Sequence, residues 1–287
     1  MGQLAGRTVL ITGGTRGIGR AIALRCAQES AQVAVVSRHG DGSAVVNEVR
    51  DIGGRCVAID CDVRDEQQVE AAVARTVGEL GGLDVVVNNA AALVLKGTAE
   101  ISSDEYDTMA GVNTRGAFLV AKHALPHLQR SSNGHVLTLC PKPQLDERWF
   151  RANLAYTASK FGAGLLAFGL AAEQRPHGVA SNALWPFTTI DTDGLAECSR
   201  AELRARPRTT AVLADAALWI ITQDSTQFSG NFCIDEIVLR EAGVTDFERY
   251  SAVPGTPQSA LSQDHMVAPE QLARVKELRQ QQKEQQL

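Results

Sequence analysis

The amino-acid sequence predicts an α/β fold, a doubly wound parallel sheet in one domain with a C-terminal tail. Two observations lead to this prediction. Short segments rich in Val and Ile alternate with longer helical patterns along most of the chain, and a Gly-rich turn joins the first of these segments to a helix. Alternating strands and helices are typical of a parallel sheet covered on both faces, in which right-handed crossovers join the strands.

Seven short apolar segments are predicted to be strands, namely 7–11, 32–37, 55–60, 84–87, 134–140, 179–184 and 231–234. A chain of 287 residues with 44% hydrophobic side chains can bury one large core, so we expect a single domain over residues 1–250. Beyond Tyr250 the composition shifts to Pro, Gly, Ser and Gln, which marks a C-terminal extension over 251–287. Apolar residues recur every third position after Pro269, a pattern that fits a narrow-faced helix or a frayed tail equally well.

The bulk properties exclude several classes of function. The net charge is −5 and no basic block is present, so a nucleic-acid partner is not expected. No apolar run approaches the roughly 20 residues needed to span a bilayer, and we expect a cytoplasmic protein without a membrane span. Six cysteines are scattered without paired spacing, which favours reduced thiols and predicts neither a disulfide nor a metal site.

The first predicted strand runs into the turn Ile11-Thr-Gly-Gly-Thr-Arg-Gly-Ile-Gly-Arg20, and a helical pattern follows. Gly13, Gly17 and Gly19 lack a Cβ where the backbone must turn sharply and approach a ligand closely. The helix that follows directs unpaired N–H groups and its positive dipole end at an anion. This arrangement predicts that a dinucleotide binds with its pyrophosphate at the turn.

Three further motifs stand at distinctive positions: Asp84-Val-Val-Val-Asn-Asn-Ala-Ala91, Val112-Asn113 and Tyr156-Thr-Ala-Ser-Lys160. Together with the T-G-x-x-x-G-x-G turn near the N-terminus, they resemble the short-chain dehydrogenase/reductase family over about residues 5 to 250. The resemblance implies a Rossmann-type domain, a nicotinamide cofactor and the interconversion of an alcohol and its ketone or aldehyde. The last motif is the most specific, because a helical Tyr-x-x-x-Lys places both side chains on one face.

The end of the second strand, Val35-Val-Ser-Arg38, has no acidic residue that could accept hydrogen bonds from a ribose 2′-hydroxyl. Arg38 and Arg16 instead offer guanidinium groups to a 2′-phosphate, so NADP(H) is expected rather than NAD(H). The alternative is that both are ordinary surface arginines. The family resemblance assigns the cofactor contacts to Gly13, Thr15, Arg16, Gly17, Ile18, Gly19, Arg38, Asp62, Val63, Asn89, Ala90, Lys160, Pro186, Thr189 and Ile190.

Tyr156 is the expected general acid and base, because a phenol can exchange a proton with the substrate oxygen. Its pKa of about 10 must fall by about 3 units for this role at neutral pH. The Lys160 ammonium and the positive nicotinamide ring would both favour the phenolate. In the family, this Lys also binds the nicotinamide ribose, and Asn113 lies at a local break in a long helix and anchors a water in a proton relay.

The chain departs from the family pattern at one catalytic position. Most members carry a Ser about 13 residues before the Tyr, and position 143 here is Pro. The strand-end segment from Cys140 to Phe150 resembles a subgroup of hydroxysteroid dehydrogenase-like proteins. Cys140 stands where that subgroup usually has a Ser. Some members of the subgroup append a sterol-carrier domain, and no counterpart of that domain is recognisable here. A thiol donates hydrogen bonds weakly, so either Cys140 or Thr138 is the candidate to orient the substrate oxygen. A buried packing role for Cys140 is equally compatible.

We therefore expect an NADP(H)-dependent oxidoreductase acting on an apolar small molecule, with Trp149, Phe150, Trp185 and Phe187 near the substrate. The substrate pocket is predicted from 93–100, 141–153 and 187–208. The alternative is an NADP(H)-binding protein with weak or no turnover that acts as a sensor or interaction partner. The helical patterns at about 104–128 and 155–173 correspond to the segments through which family members pair, so a homodimer or homotetramer is expected.

Overall fold

A parallel sheet of seven strands forms the centre of the molecule, in the order β3-β2-β1-β4-β5-β6-β7, in a computed structural model of the chain. The structure describes residues 2–38, 42–151, 153–193 and 206–284. The strands are β1 Thr8–Thr12, β2 Gln32–Ser37, β3 Arg55–Asp60, β4 Val85–Asn88, β5 His135–Leu139, β6 Ala180–Trp185 and β7 Phe232–Ile234. The predicted fold class is confirmed, and each predicted strand end lies within one residue of the observed one.

Helices cover both faces of the sheet. They are α1 Gly17–Gln28, α2 Ser43–Asp51, α3 Glu66–Leu80, α4 Ser103–Met109, α5 Ala117–Leu128, α6 Glu147–Phe150, α7 Leu154–Gln174, α8 Ala211–Ile221, α9 Asp235–Glu241 and α10 Pro269–Glu284. Alternate strand residues point to opposite faces. Val9 and Ile11 pack in a core with α1 and α8, while Leu10 packs in a second core with α3 and α5.

The strand order reverses between β1 and β4, which lie side by side at the centre of the sheet. From β1 the chain proceeds outward to β3, and from β4 it proceeds outward to β7 on the other side. In such sheets a crevice opens at the carboxyl ends of the strands where the order reverses. β1 ends at Thr12 and β4 at Asn88, so the Gly-rich turn and the segment after Asn88 meet at this crevice.

The C-terminal extension packs against the domain over its described length. We call residues 251–268 the arm. The arm pairs in single β-bridges with Arg208 and Thr188, through Ser251 and Gln263 respectively. After the arm, α10 buries Val275 among apolar side chains. Of the two alternatives that the sequence left open for this segment, the structure has the helix.

A buried cluster of charged side chains holds α10 in place. Glu236, on α9, is fully buried and accepts hydrogen bonds from Arg208, Arg240 and Arg279. The contact from Arg279, on α10, is bidentate, with N···O distances of 2.6 and 2.8 Å. Burial raises the pKa of Glu236, but the three guanidinium groups outweigh this effect and bring the pKa to about 2. Arg279 therefore connects the C-terminal helix to a carboxylate that stays charged at neutral pH.

Helix α7 is the most apolar long helix of the described residues. By length and composition, the helical stretch Leu154–His177 could cross a membrane. However, 56% of its apolar window is buried against the rest of the fold. This burial is what the core helix of a globular domain shows.

The cysteines Cys26, Cys56, Cys61, Cys140 and Cys233 are free thiols, and Cys198 lies outside the described residues. In the described ranges, no group of three or more His, Cys, Asp or Glu side chains is arranged to hold a metal ion.

We predict that Arg279→Met loosens α10 and destabilises the protein. Loss of a buried charge-assisted pair is expected to lower the free energy of unfolding by about 1.5–3 kcal/mol. The matched control is Arg274→Met on the same helix. Arg274 pairs with Glu241 at 2.8 Å, but both side chains are at least 40% exposed, so a loss below about 1 kcal/mol is expected. Urea unfolding of the two variants at pH 7 measures the difference.

The difference in unfolding free energy between wild type and Arg279→Met should depend on pH. The pKa of Glu236 is lower in the folded protein than the roughly 4.3 of an unfolded glutamate, so its pairing stabilises the protein above that pH. This stabilisation is lost as the pH falls from about 4 toward 2, and the gap between wild type and Arg279→Met should narrow over that range. Equal unfolding free energies of Arg279→Met and Arg274→Met at pH 7 would contradict the anchoring role.

Candidate active site

Side-chain hydrogen bonds fix the shape of the crevice at the ends of β1 and β4. The Thr12 hydroxyl accepts hydrogen bonds from the backbone N–H groups of Asn89 (3.1 Å) and Ala90 (3.0 Å). The Asn89 amide donates in return to the backbone oxygens of Thr12 (2.9 Å) and Gly13 (3.1 Å). These bonds join the Gly-rich turn to the segment after β4, and a cleft of about 580 Å³ lies beside them.

The glycines of the turn are needed for its shape. Gly13 and Gly17 have φ angles of +64° and +53°, which side-chain-bearing residues rarely adopt. At Gly19, a Cβ would lie 2.2 Å from the Gly13 oxygen and 2.5 Å from the Asn89 amide nitrogen. Helix α1 begins directly after Arg16, whose side chain caps no backbone N–H, and its first turn carries no acidic residue. The free N–H groups of α1 therefore provide a site for an anion at the cleft.

Nine of the residues predicted to contact the cofactor line this cleft: Gly13, Thr15, Arg16, Gly17, Ile18, Arg38, Val63, Asn89 and Ala90. Gly19 lies beneath the turn instead, where its missing Cβ makes room for the Gly13 carbonyl. Sequence reasoning missed Ser37, Cys61, Thr192 and Asp193, which also line the cleft. Thr192 and Asp193 follow β6 and belong to the segment 187–208, which the sequence assigned to the substrate pocket and not to the cofactor contacts.

Both predicted arginines line the cleft. Arg38 is exposed, and it forms no ion pair with the residues that the structure describes. Arg16 pairs with Asp193 at 3.5 Å, with both side chains more than 70% exposed, which is a weak interaction. Asp62 is engaged with Arg64, whose guanidinium donates to it at 2.6 Å and lowers its pKa. Arg64 is a neighbour of the site that the sequence did not indicate.

The residues predicted to contact the nicotinamide end of the cofactor follow β6 in the chain, and they are buried. Pro186, Thr189 and Ile190 have little exposed surface, and they do not line the cleft. The Thr189 N–H donates to the arm at the Ser262 oxygen (2.9 Å). The Phe187 N–H donates to the buried Asp235 carboxylate (2.8 Å). These backbone groups are therefore already paired within the protein.

Tyr156 and Lys160 lie one turn apart on α7, and both are buried. The Lys160 ammonium donates to the Leu139 oxygen at the end of β5 (3.0 Å), and burial lowers its pKa to about 8. The pKa of Tyr156 is raised, first by burial and then by the Asp264 carboxylate. In this structure the Tyr156 phenol is thus held protonated, and the lowering of its pKa expected from Lys160 is not observed.

Asn113 lies in a π-helical turn, Ala110–Gly116, between α4 and α5. Its amide pairs with both backbone groups of Ala92 (2.8 and 2.9 Å) and donates to the Ser159 hydroxyl (2.9 Å). A cavity of about 10 Å³, close to the volume that one water needs, lies between Asn113, Lys160 and the end of β4. The Asn88 side-chain oxygen beside it is buried, and no residue that the structure describes forms a hydrogen bond with it.

Cys140 is buried beyond the end of β5, where it packs against Ala163 and Ala183. Its thiol donates weakly to the Thr138 backbone oxygen (3.6 Å). Burial raises its pKa to about 12, although the nearby Lys160 ammonium opposes this rise. The thiol is therefore neutral and unreactive at neutral pH. The Thr138 side chain lines the small cavity beside Lys160.

The arm completes the apolar surroundings of Tyr156. Met266 and Val267 are buried in one cluster with Tyr156, Trp149 and Phe187. The Trp185 indole N–H donates to the Asp264 carboxylate (2.8 Å). Nothing in the sequence indicates that the arm lies here, because the arm is polar and carries no periodic pattern. The part of the predicted pocket at 194–205 lies outside the described residues.

The chain is similar in sequence to known short chain dehydrogenases. The family model for short chain dehydrogenases matches residues 7–203. The chain is similar to hydroxysteroid dehydrogenase-like protein 2 of Danio rerio, with 40% identity over 264 residues, which are 89% of this chain and 63% of that protein. The Homo sapiens protein of the same name is 38% identical over the same shares. The chain thus spans somewhat less than two thirds of the length of these curated relatives.

Solved structures show the same similarity. A protein from Xanthomonas campestris assigned as a dehydrogenase superposes with a TM-score of 0.88 at 42% identity, covering 92% of this chain and 99% of that one. A short chain dehydrogenase from Mycobacterium thermoresistibile gives 0.84 at 39% identity, with 92% and 96% covered. A Burkholderia cenocepacia short chain dehydrogenase, solved in complex with NADP, gives 0.72 at 27% identity, with 81% and 97% covered.

Proposed function

The chain belongs to the short-chain dehydrogenase family, and on that premise we propose that it is an NADP(H)-dependent oxidoreductase that interconverts an alcohol and its ketone or aldehyde. The observation that supports this most directly is that the buried Tyr156 and Lys160 lie one turn apart on α7, with Lys160 lining a small cavity that Thr12 and Ala90 of the crevice also line. The fold, the crevice and the two side chains together match the needs of hydride transfer coupled to proton transfer.

The residues around the cleft fit a nicotinamide dinucleotide. The cleft has a volume of about 580 Å³, and it lies beside the glycine turn and the uncapped start of α1. These features suit a pyrophosphate and the two nucleosides that it joins. NADP(H) is favoured over NAD(H) because Arg38 and Arg16 could bind a 2′-phosphate, and because no acidic side chain ends β2. When bound, the cofactor would supply or accept the hydride at nicotinamide C4.

Tyr156 would act as the acid in carbonyl reduction by donating its Oη proton to the substrate oxygen. The raised pKa keeps the proton on the buried phenol, and the positive charges of Lys160 and of a bound oxidised nicotinamide would lower the pKa of Tyr156 toward the working pH. Lys160, held by the Leu139 oxygen, would bind ribose hydroxyls and place positive charge beneath the site. Asn113 and the water-sized cavity beside Lys160 support a route by which a proton could return to Tyr156.

We propose an apolar substrate. Large apolar side chains surround Tyr156, and they include residues of α6, the end of β6 and the loop after it, the arm and α10. These side chains include Trp149, Trp185, Phe187, Met266 and Val275. Because most of their surface is buried in one cluster, a ligand that enters it is favoured by apolar contact.

We also propose that the chain forms a homodimer or homotetramer through the outer face of α5 and α7. This face exposes Phe118, Leu165 and Phe168, which are 50%, 63% and 56% exposed. A shallow apolar groove of about 530 Å³ lies between the two helices. Exposed apolar side chains clustered on adjacent helices mark an interaction surface.

Tyr156→Phe is predicted to abolish turnover and retain cofactor binding. Loss of the proton donor should lower kcat for NADPH-dependent reduction of a lipophilic ketone or aldehyde by at least about 100-fold. The dissociation constant for NADPH should stay within about threefold, since the phenol is not expected to hold the cofactor. The control is Tyr106→Phe, an equal change at a half-exposed tyrosine, which should leave turnover intact. Wild-type NADPH binding without turnover across a broad carbonyl panel would count against an enzymatic role.

Arg38→Ala is predicted to weaken NADPH binding selectively. Removing charge-assisted hydrogen bonds worth about 1.5–3 kcal/mol should raise the NADPH dissociation constant about 10- to 100-fold and leave that of NADH unchanged. Arg50→Ala, at an exposed arginine on α2 that is absent from the cleft lining, is the control. An equal loss of affinity for NADPH and for NADH would show that Arg38 does not bind the 2′-phosphate.

Leu165→Glu is predicted to shift the protein toward the monomer, because it would bury a charge in the proposed α5–α7 interface. Sedimentation velocity measures the assembly state. Leu145→Glu introduces the same charge at a fully exposed residue away from this face, and it should leave the oligomer unchanged. A monomeric wild-type protein would exclude the assembly outright.

A further inference from the structure

A second pocket, of about 300 Å³, lies between α6 and the C-terminal extension. Its polar lining consists of Arg148, Gln263 and His265. Its apolar lining includes Trp149, Val267 and Leu272. Among the described residues, none lines both this pocket and the cofactor cleft. Small-molecule sites begin at about this volume, and they combine an apolar wall with a few polar groups in the same way.

Contacts between distant segments hold the two walls of this pocket in place. On the α6 side, the Trp149 backbone oxygen accepts a hydrogen bond from the Thr157 hydroxyl of α7 at 2.7 Å. The Trp149 side chain is also buried in the cluster that contains Tyr156. On the other side, Gln263 of the arm forms a β-bridge with Thr188. The pocket is therefore formed without a ligand, and a ligand would pay little ordering cost on entering it.

The Arg148 guanidinium is held in a defined orientation at this pocket. Its Nε atom lies 3.2 Å from the Asp146 carboxylate, and its central carbon lies 4.3 Å from the centroid of the Trp149 ring. The ion pair is weak, because both side chains are 49% exposed. In the part of the chain that the structure describes, no group accepts a hydrogen bond from Nη1 or Nη2 of Arg148. These N–H groups can bind both oxygens of a carboxylate.

The other polar groups of the lining are also hydrogen-bond donors. The side chains of Gln263 and His265 form no hydrogen bond or ion pair with the residues that the structure describes. The Trp149 indole N–H is buried and has no acceptor among those residues. The lining of this pocket thus carries several donors that the protein leaves unpaired.

No carboxylate lines the pocket within the described ranges. The two acidic residues next to lining positions of the extension are engaged with other groups. Asp264 accepts a hydrogen bond from the Trp185 indole at 2.8 Å, and Glu270 pairs with Lys142 at 2.5 Å. An excess of donors without a facing acid is the composition that an anionic group needs.

We propose that this pocket binds a small carboxylate with a short apolar chain. The carboxylate would lie on the Arg148 guanidinium, and the chain would contact Trp149, Val267 and Leu272. Because Trp149 and Val267 also pack in the cluster around Tyr156, two sources of this ligand are possible. It is either the end of the substrate remote from the carbonyl or a separate effector, and kinetics distinguishes the two.

The first test is binding of hexanoate to the protein without cofactor, compared with hexanamide, which has the same chain and no charge. Isothermal titration calorimetry should show hexanoate binding at least about tenfold more tightly than hexanamide. Each CH₂ added between butanoate and hexanoate should tighten binding about fourfold. Trp149 is one of three tryptophans, so hexanoate should change the protein fluorescence, and this change should be lost in Trp149→Phe.

The second test removes the guanidinium and keeps the apolar stem. We expect Arg148→Met to weaken hexanoate binding about 10- to 100-fold and to leave hexanamide binding within about threefold. The hexanamide measurement shows whether the pocket is intact in the variant. Arg151→Met is the matched control, because Arg151 pairs with Glu147 on the same segment and does not line the pocket. Equal affinities of wild type for hexanoate and hexanamide, or equal losses in Arg148→Met and Arg151→Met, would overturn the inference.

Inhibition kinetics then identifies the source of the ligand. If the pocket holds one end of the substrate, hexanoate should compete with the carbonyl substrate, and Arg148→Met should raise KM for a keto acid more than for a methyl ketone of equal length. If the ligand is an effector, hexanoate should bind without competing; both results support the site. Failure of the proposed function would be recognised separately, as protein that neither binds NADPH nor reduces any carbonyl, because hexanoate binding is measured without either.

Discussion

The hydrogen bonds between the ends of β1 and β4 set the geometry on which the site depends. Thr12 receives two backbone N–H groups from the segment after β4, and Asn89 returns two bonds to the backbone of the Gly-rich turn. This reciprocal pairing leaves little freedom at the point where the strand order reverses. It also explains Gly19, since a Cβ there would collide with both the Gly13 carbonyl and the Asn89 amide. The glycine pattern is thus a packing requirement of the crevice as well as a feature of anion binding.

Burial, rather than attraction between neighbouring charges, dominates the electrostatics around Tyr156. It raises the pKa of the Tyr156 phenol and of the Cys140 thiol, and it lowers the pKa of Lys160 to about 8. All three shifts favour the neutral form of the side chain. A site of this kind keeps the proton on Tyr156 and on Cys140. A positive charge placed near Tyr156 would act strongly on its pKa, because little water screens the interaction.

The C-terminal extension joins this site to the rest of the fold. The arm pairs with the loop after β6 and contributes apolar side chains to the cluster around Tyr156, while α10 is held by the Arg279–Glu236 ion pair. Glu236 is surrounded by three guanidinium groups, so its charge is compensated despite full burial. The arm that packs in the cluster with Tyr156 is therefore followed directly by a helix that an ion pair anchors to α9.

The sequence by itself determined the sheet, the position of the Gly-rich turn at the crevice and the placement of Tyr156 and Lys160 one turn apart, because strand periodicity, glycine spacing and a four-residue helical spacing are local properties. It could not determine that the Thr189 N–H is occupied by the arm, that Cys140 turns toward Thr138, or that Asp264 accepts a hydrogen bond from Trp185. Each of these depends on contacts between segments distant in the chain, and the polar arm carries no periodic pattern that would reveal them. Only the tertiary structure decided the pKa of Tyr156, since burial is a property of the folded chain and not of any motif.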